Sequence, residues 1–467
     1  MELVKRFKNV FFYILIIGGF SAVVYWIITA GQSLENGRDI IAAASDVSSF
    51  QGFLNSFVEN IQHPAGILLL QVTIIIIFAR AFGWLFNKIG QPAVVGEILA
   101  GIVLGPSLLG LYLPDVSQFI FPTQSLGNLQ VLSQIGLVLF MFVIGMELNL
   151  KVLKTKAHEA VVISHASIII PFAAGVALAF FIYSSFAPTG ISFMSFGLFL
   201  GISMSITAFP VLARIIQERG IHKTKLGAIV ITCAAADDIT AWCLLAAVIA
   251  IVKAGSFVSS IYTILLAVAY VLLMIRVVRP FLKRTAEKYK TEKGFKKSAV
   301  AIFFLVLLVS SFVTETIGIH ALFGAFMAGV IMPSNPRFRS MFIDKIEDVA
   351  LVLLLPLFFV ITGLRTQIGL LNDIYLWQVT GLIILVAVLG KFVGSALAAR
   401  YVGQNWKDSL TIGTLMNTRG LMELVVLNIG YDLGILNDEI FAMMVIMALV
   451  TTFMTGPILN LIGKVFK

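Results

Sequence analysis

Residues 227–251 read GAIVITCAAADDITAWCLLAAVIAI. A helix of about 20 apolar residues crosses the hydrocarbon of a bilayer, and this run is long enough. Near its middle stand two adjacent carboxylates, Asp237 and Asp238. A carboxylate at the bilayer centre costs roughly 2.5–3.5 kcal/mol on insertion scales, and intramembrane acids mark ion and proton paths. Successive helical positions lie about 100° apart, so the two side chains cannot face one point. They therefore take different roles, one toward a cation path and one toward a partner. The alternative is a fixed, neutralised pair that only joins helices.

The same reading extends outward over the whole chain. Of 467 residues, 59% are hydrophobic and 12% charged, and the mean hydropathy is +1.00. A soluble domain is nearer half apolar and a quarter charged. Fourteen apolar runs read as transmembrane helices: 11–30, 65–86, 94–109, 129–148, 160–183, 192–216, 227–251, 257–278, 299–316, 321–332, 350–362, 379–399, 410–429 and 440–461. The runs 321–332 and 350–362 are short for full crossings. The first follows Lys5, Arg6 and Lys8 and is too long for a signal-peptide core, so it reads as an uncleaved helix, with cleavage as the alternative. The two cysteines, Cys233 and Cys243, share one run; they form no disulfide framework or metal motif and read as packing residues.

The net charge of +9 is a membrane signal rather than a nucleic-acid one. With the N-terminus inside and the spans alternating, 28 of the 33 Lys and Arg fall on the inner side. Only Arg38, Lys253 and Arg365 fall outside, and Lys391 and Arg419 lie within spans. Cytoplasmic loops carry this excess, so both termini read as cytoplasmic, in a cell (plasma or inner) membrane. A miscounted helix would invert the pattern downstream.

The fold class is therefore an all-α polytopic membrane protein. The polar outer segment 31–63 sets off residues 1–63 as an appended helix with an external segment. The most basic loop, 276–297, divides the remainder into two halves, the layout of an inverted repeat. In that layout 192–216 and 410–429 correspond, and both are interrupted: one by Thr207-Ala-Phe-Pro210, the other by Asn417-Thr418-Arg419-Gly420. This symmetry is one of placement; the residues of the two halves do not visibly match.

Several residues inside the spans carry chemistry. Lys391 is mid-span, and a buried ammonium needs a carboxylate or carbonyls; Asp237 is the favoured partner, and snorkelling to an interface is the alternative. Ser205, Thr207 and Pro210 offer hydroxyls and a freed carbonyl, which suit a partly dehydrated alkali cation; the alternative is an ordinary proline kink. Arg419 and Glu423 are spaced i, i+4 and can pair, as a structural clamp or in transport. Glu97 and Glu147, near span ends, read as interfacial. His165 and His320 read as packing residues, and His63, His158 and His222 as loop or boundary residues. A carboxyl held away from water takes a metal ion or a proton but not both comfortably, which is the minimal machinery of an antiporter.

Six stretches, in order along the chain, resemble the second monovalent cation/proton antiporter family, closest in look to the plant cation/proton exchangers and their bacterial relatives. They are 91–106 (QPAVVGEILAGIVLGP), 205–214 (SITAFPVLAR), 237–242 (DDITAW), 318–326 (GIHALFGAF), 356–359 with 363–365 (PLFF, GLR) and 417–430 (NTRGLMELVVLNIG). The resemblance implies thirteen core helices plus the extra first one, two crossed broken helices, and a homodimer. It implies dimerisation-side helices at 64–150 and 299–375, core halves at 151–255 and 376–467, and a linker helix with its basic loop at 256–298. Asp238 matches the family's ion-binding aspartate, and Asp237 the position before it. Lys391 matches the basic residue of the corresponding helix. The family moves its core against the dimerisation helices. Members that carry nucleotide-binding or regulatory domains have them after the membrane region, where this sequence ends.

The function expected is secondary active exchange of Na+ or K+ for H+, with Asp238 binding cation or proton and Asp237 paired with Lys391. No cofactor is expected; the partners are cations, protons, lipid and a second copy. A gated cation channel on a related scaffold is the alternative, but no carbonyl filter sequence appears. An enzyme would need a nucleophile–base set or metal cluster, and none is seen.

Overall fold

The computed structural model describes residues 2–35, 49–147, 157–221, 224–254, 257–288, 290–291, 294–295, 297–333 and 336–466. Arg38, Lys151, Lys154, Lys156, His222, Lys223, Lys293 and Lys296 lie outside the described residues, and of His158, Pro210 and Arg214 only the backbone is described. The chain divides into two units, Met1–His63 and Pro64–Lys467. The first unit holds α1 (Glu2–Gln32), which leaves its apolar side chains from Phe11 onward exposed all round, and α2 (Ser49–Gln62) within the polar segment.

The second unit is helical almost throughout. Its first half runs α3 (Pro64–Lys88), α4 (Ala93–Leu104), the short α5 (Leu109–Tyr112) and α6 (Pro114–Ile120), α7 (Thr123–Glu147), α8 (Ala157–Phe186), α9 (Phe193–Ser205), α10 (Phe209–Glu218) and α11 (Lys225–Ala254). A linker follows: α12 (Phe257–Leu273), a π turn at Met274–Val278, α13 (Arg279–Lys288) and a two-stranded turn, β1 (Lys290–Thr291) with β2 (Gly294–Phe295). The basic loop is thus mostly helix. The second half runs α14 (Lys297–Ile317), α15 (Ala321–Val330), α16 (Pro336–Asp348), a π turn at Val349–Leu354, α17 (Leu355–Arg365), α18 (Ile374–Val388), a π turn at Leu389–Val393, α19 (Gly394–Tyr401), α20 (Trp406–Met416), α21 (Leu421–Asp432) and α22 (Asp438–Val465).

Among the described residues, 11 helices are long and apolar enough to cross a membrane. The two broken crossings and the short α15 occupy the other apolar runs read from the sequence. The run at 350–362 proves to be the centre of a longer span, Phe342–Leu370, because the π turn joins α16 to α17 without ending the helix. The run at 94–109 lies within a span, Ala93–Tyr112, whose helix breaks at Leu104, where Gly105 takes an extended conformation.

Glycine positions show how the crossings pack. In one group α4 meets α17 through Gly101 and Gly363, where an added Cβ on Gly101 would lie 2.4 Å from the Val360 carbonyl. In the same group α7 meets α15 through Gly145 and Gly329, with a Cβ on Gly145 2.2 Å from the Phe326 carbonyl. These contacts are reciprocal: the second helix of one half packs on the third of the other, and the reverse. The inverted repeat that the placement of the spans suggests is therefore written in backbone contact. In a second group Gly201 of α9 packs on α8, Gly413 of α20 on the 389–396 segment, and Gly430 of α21 on the Phe199 ring of α9. Among the described residues, every glycine whose added Cβ would come closer than 3.0 Å to another element meets a member of its own group. The first group comprises α3, α4, α7, α14, α15 and α17 with its π turn; the second comprises α8, α9 and α18 to α21. Interlocked backbones hold each group, and none of these close approaches joins one group to the other.

This packing predicts a sharp positional difference. Gly145→Val forces a side chain onto a backbone carbonyl and should cost about 1–3 kcal/mol, the range for overpacking. Gly127→Ala on the same α7 meets nothing within 4 Å and should be neutral or slightly stabilising. Thermal unfolding of purified protein in detergent, followed by size-exclusion chromatography, measures both; equal melting of the two variants would contradict the packing.

Candidate ion site at the helix crossing

The site forms where the two broken crossings meet. Between α9 and α10, residues 206–208 are not helical; between α20 and α21 the interruption is 417–420. Pro210 stands in the first turn of α10, where its missing N–H costs nothing. The proline therefore opens a half-helix rather than kinking a continuous one. Gly420 takes φ 158° and ψ −131°, a region essentially restricted to glycine. The two interruptions bond to each other, the Ala208 N–H donating to the Thr418 carbonyl at 3.1 Å.

Such a crossing sets four helix ends inside the protein, each with unpaired backbone groups and a partial charge. The C-terminal carbonyls of α9 receive cations. Arg419 donates to the Ser203 carbonyl at 2.9 Å and the Met204 carbonyl at 2.6 Å, and Lys391 donates to the Ser205 carbonyl. Glu423, in the first turn of α21, accepts from Arg419 at 2.6 Å, and both side chains are fully buried. The i, i+4 pairing therefore clamps one break to the other. Two threonines on α22 complete this side: Thr452 donates to the Arg419 carbonyl at 2.8 Å, and Thr455 meets the Thr418 hydroxyl at 3.3 Å.

The two aspartates differ completely. Asp237 is fully buried and surrounded by donors. Ser164 reaches its Oδ1 at 2.6 Å. Ser167, Thr207 and Lys391 reach its Oδ2 at 2.7, 2.8 and 3.3 Å. Lys391 uses its three donors on Asp237, the Ser205 carbonyl and the Ser167 carbonyl at 2.8 Å. It points inward with no exposed side-chain surface, so it does not snorkel. It sits in the π turn Leu389–Val393, a distortion often found at functional sites.

Asp238 is 2% exposed, and neither carboxyl oxygen has a hydrogen-bond partner among the described residues. The Phe209 backbone N–H, at the N-terminus of α10, lies close to it without meeting hydrogen-bond geometry. A half-helix N-terminus favours negative charge, which explains how an acid is held at this point. Leaving a buried polar group unpartnered costs about 1–3 kcal/mol, and more for a charged one.

The remaining sequence candidates fall into place around this pair. Thr207 serves Asp237, not Asp238. The Ser205 hydroxyl turns back to the Ile202 carbonyl at 2.9 Å, and its carbonyl holds Lys391. Asn417 is buried at the second break, its Oδ1 without a partner among the described residues. Glu97 is buried in α4 against Gly83 of α3 rather than interfacial, whereas Glu147 is exposed. His165 bonds its own helix at the Val161 carbonyl, and His320 caps α15. The sequence reading missed Ser164 and Ser167. Their i, i+3 spacing puts them on one helical face, but serines in apolar helices are usually packing residues. Thr452 and Thr455 escaped notice for the same reason.

The family model for the transmembrane region of sodium/hydrogen exchangers matches residues 73–464. A Na+/H+ antiporter of Synechocystis, NhaS4, is 42% identical over 393 residues, covering 84% of this chain and 96% of its own length. Cation/H+ antiporter 17 of Arabidopsis thaliana is 41% identical over 408 residues, covering 87% and 50%. K+/H+ antiporter 1 of Saccharomyces cerevisiae is 32% identical over 429 residues, covering 90% and 49%. The chain thus spans about half the length of the plant and yeast relatives. Among solved structures, the sodium/proton antiporter MjNhaP1 of Methanocaldococcus jannaschii has the same fold, with a TM-score of 0.56 and 14% identity over 86% of this chain and 99% of that one. With the family model matched along nearly the whole membrane region and a relative aligned almost end to end, this chain belongs to the sodium/hydrogen exchanger family of multi-pass membrane transporters.

Proposed function

We propose that the protein exchanges a monovalent cation, Na+ or K+, for H+, with Asp238 as the group that binds either one. One observation carries the reading: two adjacent carboxylates are both buried, yet Asp237 has four donors and Asp238 none. The group with free oxygens is the one able to take a ligand. Among the described residues no set of three His, Cys, Asp or Glu side chains lies together. Further ligands must then be neutral oxygens, such as the backbone of the two breaks and the Asn417 Oδ1, a low-charge set suited to a monovalent ion. Loading Asp238 with a cation or a proton removes its charge, so the two ligands compete and their movements are tied together. The relatives include both a Na+/H+ and a K+/H+ antiporter, so both ions are candidate substrates.

The packing supports movement as well as binding. The group built on α8, α9 and α18 to α21, on which the aspartate-bearing α11 packs, carries the site, and close backbone contact does not lock it to the other group. In this proposal it travels as a unit, exposing Asp238 to each side in turn. A travelling group needs a fixed one, and pairing of two copies through α3, α4, α7 and α14 to α17 would provide the anchor. The basic loops face the cytoplasm, so the ends of α14, α17 and α21 face outward.

Proteoliposomes with an internal pH dye test the assignment. Wild type should show a pH change on addition of Na+ or K+, and Asp238→Asn should show less than a tenth of it while remaining folded. Equal responses would refute the role of Asp238, and ion flux without a pH response would make the protein a channel. Stability gives a second prediction. Lys391→Met leaves Asp237 buried without its cation and should cost about 3–5 kcal/mol. Adding Asp237→Asn to Lys391→Met should recover part of that loss in thermal unfolding; additive losses would mean that the pair is not coupled.

A further inference from the structure

At the end of the bundle away from the basic loops lies a cavity of about 470 Å³ between the two groups, lined in part by Gln130, Glu315, His320, Arg365, Asn428 and Asp432. One cluster of side chains bridges it. Arg365, the last residue of α17, donates to the Asn428 Oδ1 at 2.9 Å and pairs with Asp432 at 3.0 Å, both on α21. Asn428 donates back to the Thr362 hydroxyl at 2.9 Å. The Arg365 guanidinium lies 5.3 Å from the Tyr431 ring centre. Gln130 of α7 adds a longer contact to Asp432, 3.4 Å.

Each end of this bridge is tied to a different rigid group. Gly363, two residues before Arg365, is pressed against Ile98 and Ile102 of α4. Gly430, midway between Asn428 and Asp432, is pressed against Phe199 of α9. Neither backbone can shift without its own group. The link itself is of another kind, polar and open to the cavity, with the Arg365 side chain 19% and Asp432 39% exposed. An ion pair at such exposure is weak and exchanges readily with water. Lys253 and Glu315, 4.0 Å apart and more exposed, join α11 to α14 at the same end.

We propose that Arg365, Asn428 and Asp432 form an ionic clasp that holds α21 to α17 while the outer cavity exists, and that the clasp must part whenever the site-bearing group travels. The inference rests on the exchange reading above. It gives Arg365 a role in positioning the groups, not in binding the ion. A bridge of apolar side chains would have to expose that surface on opening, whereas this one gives its groups to water.

The test uses the full chain with Cys233→Ala and Cys243→Ser, reconstituted as above. In that background Arg365→Cys/Asp432→Cys should transport before treatment. A short bis-methanethiosulfonate linker should cut cation-driven pH change at least tenfold, and reductant should restore it. The single-cysteine proteins should keep their rate under the same reagent. A second arm separates positioning from plain stability. Arg365→Gln and Asp432→Asn should each weaken the apparent affinity for cation added outside about threefold, the scale of a partly exposed pair. The double variant should be no weaker than either single, and Arg365→Asp/Asp432→Arg should recover wild-type affinity. Complete cross-linking without loss of rate, or additive affinity losses, would overturn the clasp. A wild type that moves neither ion would overturn the exchange reading itself, a separate result read before any variant.

Discussion

Charge in hydrocarbon must be answered by opposite charge or by dipoles, and the crossing of the two broken helices is where this constraint is met. Five ionisable side chains, Asp237, Asp238, Lys391, Arg419 and Glu423, lie within 2% of full burial. Two of them neutralise the carbonyl end of α9, and Glu423 balances Arg419. Asp237 balances Lys391. Lys391, Arg419 and Glu423 thereby answer both a side chain and a helix end, while Asp237 is held by side chains alone. Asp238 is the remainder of this arrangement: neither of its oxygens has a hydrogen-bond partner among the described residues, and Lys391, which acts on it through space, is already paired with Asp237. That unanswered carboxylate is why the proposed exchange places its mobile ligand at Asp238.

The same constraint explains why the helices are broken at all. A continuous helix offers no free backbone oxygens to an ion, because its carbonyls are used internally. Interruptions at 206–208 and 417–420 release them, but only next to groups able to stabilise the exposed ends. The Ala208 to Thr418 bond joins the interruptions directly, and the threonines of α22 hold the second one from behind. Rigidity around the site and looseness at the group boundary are then complementary. Glycine contacts too close for any side chain fix the helices within each group, while the outer boundary is spanned by Arg365 and its partly exposed partner Asp432.

How far the sequence can be read differs from residue to residue. The Asp-Asp run, the proline break and the Asn-Thr-Arg-Gly break announce themselves because each violates the apolar composition around it. Lys391 does so too, since an ammonium in mid-span needs a carboxylate or carbonyls; that it meets Asp237 rather than Asp238 is decided by packing. Ser164 and Ser167 give no such signal, since a hydroxyl in an apolar helix can bond its own backbone and pass unnoticed. Glu97 misled for a related reason: nearness to a span end suggests an interface, but α3 covers that end. The reciprocal glycine contacts of α4, α7, α15 and α17 could not be paired from sequence, because spacing within a helix says nothing of which helix it meets.

Length, hydropathy and the distribution of basic residues by themselves determined a membrane bundle and its crossings, since these depend only on whether each segment prefers lipid or water; a proline and an Asn-Thr-Arg-Gly run marked its breaks. The sequence also determined that two acids share one helix. Only the tertiary structure decided between them. The aspartates are neighbours with almost the same local surroundings, and what separates them arrives from far along the chain: serines 73 and 70 residues away, a threonine 30 away and a lysine 154 away. A helix turns by about 100° per residue, so packing can saturate one carboxylate while leaving its neighbour free.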